Sequence, residues 1–283
     1  MHERLWKIGT RVFDVSRQGL IMGVLNVTPD SFSDGGEFFA ADKATERGLE
    51  IVAQGADIID VGGESARPGA EPVTLEEELR RVIPVIQNLR SKIDIPISID
   101  TSKSEVAHAA INAGASIVND VTAGRGDDKM LPVVAETKSA FVIMHMQGTP
   151  RTMQIQPRYT DVVAEILEFF RQRYACAVGL NIDPMAIAFD PGIGFGKALE
   201  HNLELLAQLD RLRVYDRALV VGVSRKSFLG KLIGSLEIRD RLIPGAVLTS
   251  LLRARGADVF RVHDVKENVY ALRVTEEILQ RTK

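Results

Sequence analysis

A single cysteine, Cys176, in 283 residues supports neither a disulfide framework nor a cysteine-rich metal site and fits a reducing cytoplasm. Long apolar runs are missing too. No stretch reaches the roughly 18 residues of a membrane span, and the opening MHERLWKIGTRVFDV has no apolar core of signal-peptide length. A soluble protein with neither a membrane span nor a secretory leader is expected. Charge of one sign is also scarce, with 35 Lys and Arg against 38 Asp and Glu and a formal net charge of -3. That balance gives no field for a nucleic acid or a membrane surface, so any anion must be bound by a local pocket. The chain has no H-E-x-x-H and no histidine cluster, which removes the common zinc sites, and no GxGxxG follows the first apolar run.

What is present is a repeated grammar. Apolar runs ending in polar residues occur at 21–25 before Asn26, then at 56–62, 96–100, 116–119, 140–145, 185–190, 218–223 and 258–262. Stretches of helical composition separate them: 40–54, 75–90, one opened by Thr101-Ser102-Lys103 and closed by Gly114, 131–137, 162–179, one or two helices over 235–255, and a last helix to Leu279. This alternation predicts an α/β fold, a closed (β/α)8 TIM barrel forming one domain over 1–283. A doubly wound open sheet is the alternative. The weak alternation of Trp6, Ile8, Val12, Phe13 and Val15 around Gly9-Thr10 predicts a hairpin within 1–19 that covers the bottom of the core. In a barrel every strand ends on one face, so the scattered polar endings converge into one site.

Two aspartates end such runs, Asp100 in ISIDTSK and Asp190 in IAFDPG. Carboxylates at an apolar rim need N–H donors, and Asn119 in IVND adds an amide that donates and accepts. The trio suits a flat polar heterocycle such as a purine or a pterin; Asp60 and Asp120 read as structural. The basic set is Arg67 in GGESARPG, one of Arg225 and Lys226 in VSRKS, and Arg261 with His263 in FRVHD. The last two are two residues apart on a strand, share a side, and suit a phosphate or diphosphate. Asn26, Asp30 and Asp34 are candidates for a hard cation such as Mg2+, with substrate phosphate completing its shell. Met144 facing inward would pack on an aromatic ligand, and a core methionine is the plainer use of it. The glycines of PGIGFG either cradle an anion or serve steric ends, and the long polar loops after the first two runs read as lids.

In order, GVLNVTPDSFSDGG, DVGGESARPG, SIDTSK, IVNDV, VIMHMQG, FDPGIGFGK, VSRKSFLG and FRVHDV make the chain resemble the bacterial dihydropteroate synthase family along essentially its whole length. The resemblance implies a transferase of folate biosynthesis that condenses 6-hydroxymethyl-7,8-dihydropterin diphosphate with 4-aminobenzoate. It implies pterin contacts from Asp100, Asn119, Asp190 and Lys226, with Met144 on the ring. Asn26, Arg261 and His263 then hold Mg2+ and the diphosphate, with Asn26 as the metal contact. Arg67, Pro68, Phe195, Lys226 and Ser227 line the aminobenzoate site where sulfonamides compete, and Phe32 lies in the loop closing over it. Catalytic roles fall by the same likeness to Asp100, Asp190, Lys226, Arg261 and His263, and a homodimer is implied. Two departures stand out. Ala66 replaces a threonine, removing a hydroxyl hydrogen bond worth roughly 1 kcal/mol, and Pro244-Gly245 replaces Gly-Ser. A methyltransferase barrel acting on methyltetrahydrofolate and a corrinoid protein, and a non-catalytic pterin-binding barrel, are the competing readings.

Overall fold

The structure is a computed structural model that describes residues 3–28, 36–65, 69, 71–149 and 151–282, leaving aside the side chains of 36–40 and 282. Strands β1 (Leu5–Ile8) and β2 (Arg11–Asp14) form an antiparallel hairpin, as the alternation predicts. The chain then runs through β3 (Leu20–Asn26), α1 (Gly36–Ala53), β4 (Ile58–Gly62), α2 (Leu75–Arg90), β5 (Ile97–Asp100) and α3 (Ser104–Asn112). Next come β6 (Ile117–Asp120), α4 (Met130–Thr137), β7 (Ala140–Met144), α5 (Val162–Gly179), β8 (Ile187–Asp190) and α6 (Leu199–Ala207). The last elements are β9 (Ala218–Val221), α7 (Ser227–Ile233), α8 (Leu242–Ala254), β10 (Val259–Val262) and α9 (Val265–Leu279). Strands β3 to β10 close into an eight-stranded parallel barrel in which β10 pairs with β3. The open-sheet alternative is thereby excluded.

The structure supplies elements that the sequence pattern leaves open. The run at 218–223 is followed by SRKSFLG with no helix assigned to it, but Ser227–Ile233 is a helix, ended by Gly234 in the left-handed conformation at φ 69°. Over 235–255, where one or two helices are expected, a 3-10 turn at Arg239–Arg241 precedes α8, and Pro244 falls in the first turn of α8, where its missing N–H removes no helical bond. Helix α6, which has no counterpart in the sequence reading, follows PGIGFGK directly.

Alternation sorts each strand into two faces. Ile21, Leu25, Ile59, Val61, Ile97, Ile99, Phe189, Phe260 and Val262 point outward into the layer between barrel and helices. Leu20, Met22, Ile58, Ile117, Val142, Ala188, Val220 and Val259 fill the inside with Trp6 and Ile8 of the hairpin. Trp6 is fully buried and its indole N–H donates to the Ala186 carbonyl at 3.2 Å, so the hairpin plugs the barrel floor. Gly23 shows why a glycine stands in IMGVLN: a Cβ there would lie 2.5 Å from Ile51 of α1. One consequence carries the function. With these positions fixed, Asn26, Asp60, Asp100, Asn119, Met144, Asp190 and Arg261 must all face inward.

Candidate active site

At the C-terminal mouth of the barrel Arg261 lies between two carboxylates. Its Nε donates to Asp60 Oδ2 and its Nη2 to Asp100 Oδ2, both at 2.6 Å. Asn119 donates from Nδ2 to the same Asp60 oxygen at 3.2 Å. Asp100, Asn119 and Arg261, drawn from three strands, are thus brought together. Burial raises the Asp100 carboxyl to about 7; Arg261 pulls it down, and Asp60, Glu78 and Asp120 push it further up. The same two ion pairs outweigh burial at Arg261 and raise its pKa, so it stays a cation.

Across the mouth, burial raises Asp190 against the pull of Lys226, the Gly192 N–H, Arg261 and Lys197. The Gly192 N–H donates to Asp190 Oδ1 at 2.7 Å. Burial lowers the Lys226 ammonium to about 8, with Asp190 restoring part of its charge and Arg261 repelling it. Lys226 Nζ also bonds the Ile193 carbonyl and sits 4.6 Å from the centre of the Phe195 ring. Phe195 packs with Met144, Met146 and Met153 into an apolar wall. Arg225 turns outward into an ion pair with Asp264, which decides the Arg225–Lys226 ambiguity in favour of Lys226 as the inward group. Ser227 is exposed at the start of α7.

His263 takes a different orientation from Arg261. Its backbone N–H donates to Ser224 Oγ at 3.1 Å and its Nδ1 lies 3.2 Å from the same hydroxyl. Asn26 ends β3 half-buried, in register with Gly62, and among the described residues no group of three or more His, Cys, Asp or Glu gathers there. One neutral amide oxygen fits a Mg2+ that arrives with phosphate oxygens and keeps water, and fits no all-protein cage. Phe32, Arg67 and Pro68, with Asp30, Asp34 and Ala66, lie outside the described residues.

The sequence reading missed two residues. Asp60, taken as structural, contacts both Arg261 and Asn119; its signal was its place two residues before Gly62, on the inward face of β4. Lys197, at the end of FDPGIGFGK, is 2% exposed and donates to His145 Nδ1 at 3.0 Å, the His145 carbonyl at 3.3 Å and the Phe195 carbonyl at 2.9 Å. Burial drives Lys197 well below its usual pKa and holds His145 down to about 2, where Lys197 and Arg125 also repel its charged form. The lysine ties the loop after β7 to the loop after β8. The glycines of PGIGFG serve the same closeness: Gly192 has φ 65°, and a Cβ there would come within 2.0 Å of the His145 carbonyl oxygen. Asp120 is structural as expected, accepting from Thr122 and Gly124 backbone N–H groups at 2.7 and 2.6 Å.

Buried acids, an amide and two cations around one mouth define a parallel-barrel enzyme for a ligand that carries N–H donors at one end and an anion at the other. Residues 22–263 match the family described as pterin binding enzyme. The chain belongs to that family, within its dihydropteroate synthases. It is 43% identical over 271 residues to the dihydropteroate synthase of Synechocystis, covering 96% of this chain and 94% of that one. The Yersinia pestis dihydropteroate synthase, solved with a sulfonamide drug complex, superposes with a TM-score of 0.91 at 39% identity over 98% and 99% of the two chains. The Xanthomonas albilineans enzyme, solved with 4-aminobenzoic acid, gives 0.91 at 41% identity over 98% and 99%.

Proposed function

We infer that the chain is a dihydropteroate synthase: it joins 6-hydroxymethyl-7,8-dihydropterin diphosphate to 4-aminobenzoate, giving 7,8-dihydropteroate and diphosphate for tetrahydrofolate synthesis. The observation that carries the reading is the Asp60–Arg261–Asp100 bridge facing Asp190 and Lys226 across one barrel mouth. In the reaction the bond from the pterin methylene to the diphosphate oxygen breaks, the aryl amine nitrogen bonds the methylene carbon, and one amine proton leaves. Asp100, Asn119 and Asp190 accept and donate along the pterin edge, and the two carboxylates favour the positive charge that the ring takes up as diphosphate departs. Met144 supports the ring face. Arg261 and His263 stabilise the departing anion, and Asn26 would hold Mg2+, which when bound would supply further positive charge to the leaving oxygens. Lys226, Phe195 and Ser227, with Arg67, Pro68 and Phe32, receive the aminobenzoate, so a sulfonamide competes there. Arylamines are neutral nucleophiles near pH 7, and no general base is required. A folate methyltransferase, which releases no diphosphate, has less use for Arg261 with His263.

The test is turnover with pterin diphosphate, 4-aminobenzoate and Mg2+, following diphosphate and dihydropteroate together; tight pterin binding without turnover would instead indicate a binding protein. Asp190→Asn is expected to weaken pterin binding by about 10- to 100-fold, the worth of one charge-assisted hydrogen bond, measured by calorimetry. Unchanged affinity would remove Asp190 from the pterin site.

The working unit is a homodimer with small-molecule partners only, in the cytoplasm. Two exposed apolar stripes at four-residue spacing support the dimer: Ile243, Val247 and Leu251 on α8, and Tyr270, Val274 and Ile278 on the adjoining α9. A phosphorylated substrate and a single cysteine favour the cytoplasm. The double variant Val247→Glu, Val274→Glu is expected to sediment as a monomer; a dimer that persists would place the contact elsewhere.

A further inference from the structure

We propose that Asp60 is a positioning residue that fixes Arg261 by its Nε as a pivot, while Asp100 releases the Nη2 edge of the same guanidinium to the incoming anion. The proposal deepens the synthase reading and rests on it. Both bonds are 2.6 Å long, but the two carboxylates are not equivalent. The Asp60 side chain is fully buried, whereas that of Asp100 is 15% and that of Arg261 24% exposed. A ligand entering the mouth therefore meets Asp100 and the outer edge of the guanidinium and cannot reach Asp60.

The cost of Asp60 argues for its use. A buried carboxylate is expensive, and an apolar side chain of its size would often pack as well or better. Among the described residues Asp60 Oδ1 has no hydrogen-bond partner, so the whole charge is engaged through Oδ2, by Arg261 and Asn119. Both of those side chains stand at the mouth, on β10 and β6, and Asp60 on β4 holds them from beneath. Asp100 is chemically suited to exchange. It accepts N–H donors from either a guanidinium or a heterocycle edge, and a substrate that supplies its own donors frees Nη2 to turn toward the diphosphate. The fork then moves about a fixed Nε and not as a loose three-carbon arm, so less rotamer freedom is lost as the anion is gripped.

The decisive variant is Asp60→Asn, whose carbonyl still accepts from Asn119 but no longer offers Arg261 a charge. It is expected to lower kcat with the pterin diphosphate about 10- to 100-fold, the usual effect of removing an outer partner of a functional group. Binding of 6-hydroxymethyl-7,8-dihydropterin, which lacks the diphosphate, should change by less than about threefold, because Asp100, Asn119 and Asp190 remain. In an Arg261→Ala background the same substitution should add less than about twofold. Ser98→Ala, at the register partner of Asp60 inside the barrel, controls for a general disturbance and should keep turnover within about twofold. An unchanged kcat in Asp60→Asn, or an equal loss with and without Arg261, would overturn the proposal.

A measurement on the unaltered protein covers the case in which the variant does not fold. The Arg261 Nε–H signal in a 15N NMR spectrum should exchange slowly with water, and it should stay protected when inorganic diphosphate and Mg2+ are added while the Nη signals shift. Free exchange of Nε–H contradicts the pivot. Absence of turnover in the unaltered protein would instead defeat the synthase reading, and the NMR result still decides the role of Asp60.

Discussion

Replacing Arg261 with alanine is expected to reduce kcat by about a thousandfold while leaving pterin binding far less affected. The guanidinium is held as a cation by Asp60 and Asp100, so on the proposed reading it presents full charge to a leaving diphosphate. A thousandfold corresponds to about 4 kcal/mol of lost transition-state stabilisation. On the proposed reading the pterin meets Asp100, Asn119 and Asp190, none of which the substitution removes. Steady-state kinetics with the diphosphate substrate, paired with calorimetry using the pterin alcohol, separates the two effects. Equal losses in affinity and turnover would mean that Arg261 holds the pterin and not its leaving group.

The second large effect lies at the opposite end of the barrel. Asp258→Ala is expected to destabilise the fold by about 3–5 kcal/mol, the usual consequence of removing one partner from a buried ion cluster. The Asp258 side chain is fully buried and binds three arginines: Arg4 at 2.9 Å, Arg213 at 2.9 Å and Arg253 at 3.4 Å. It also accepts the Leu219 N–H at 3.1 Å, and its own carbonyl receives the Leu20 N–H at 2.9 Å. Those bonds reach the start of β9 and the seam where β10 meets β3, while Arg4 brings in the hairpin. Arg253 extends the cluster to Glu276 on α9 at 2.9 Å. Without the carboxylate, three guanidinium groups face one another around an unsatisfied N–H. The loss should appear in urea unfolding and as a fall of roughly 10 °C in Tm. Arg4→Ala, which leaves the carboxylate two other arginines, should cost clearly less; equal costs would show that the cluster does not act through Asp258.

These two residues show how far the sequence could be read. Arg261 was visible because it ends an apolar run two residues from His263, and period two on a strand is a local property of the backbone. The shared-phosphate expectation for that pair needs one refinement: Arg261 is turned to two aspartates while His263 is turned to Ser224, so the side chains share a strand face but have different partners. Asp258 drew no attention as a site because the arginines that surround it lie at positions 4, 213 and 253. Lys197 was equally silent, since a lysine after a glycine-rich turn reads as solvated until a histidine from another strand is seen against it.

By itself the sequence determined the strand–helix alternation, the inward faces, the hairpin and the set of acids, amide and cations at the strand ends. It did so because hydrophobic periodicity and turn residues act over a few neighbours. Only the tertiary structure decided which of these groups share a proton donor or a charge. Asp60 and Arg261 are 201 residues apart in sequence, and no local pattern records that one oxygen of the first holds the second. Barrel closure sets that contact, by bringing β10 back beside β3 and aiming the inner faces of all eight strands at one axis.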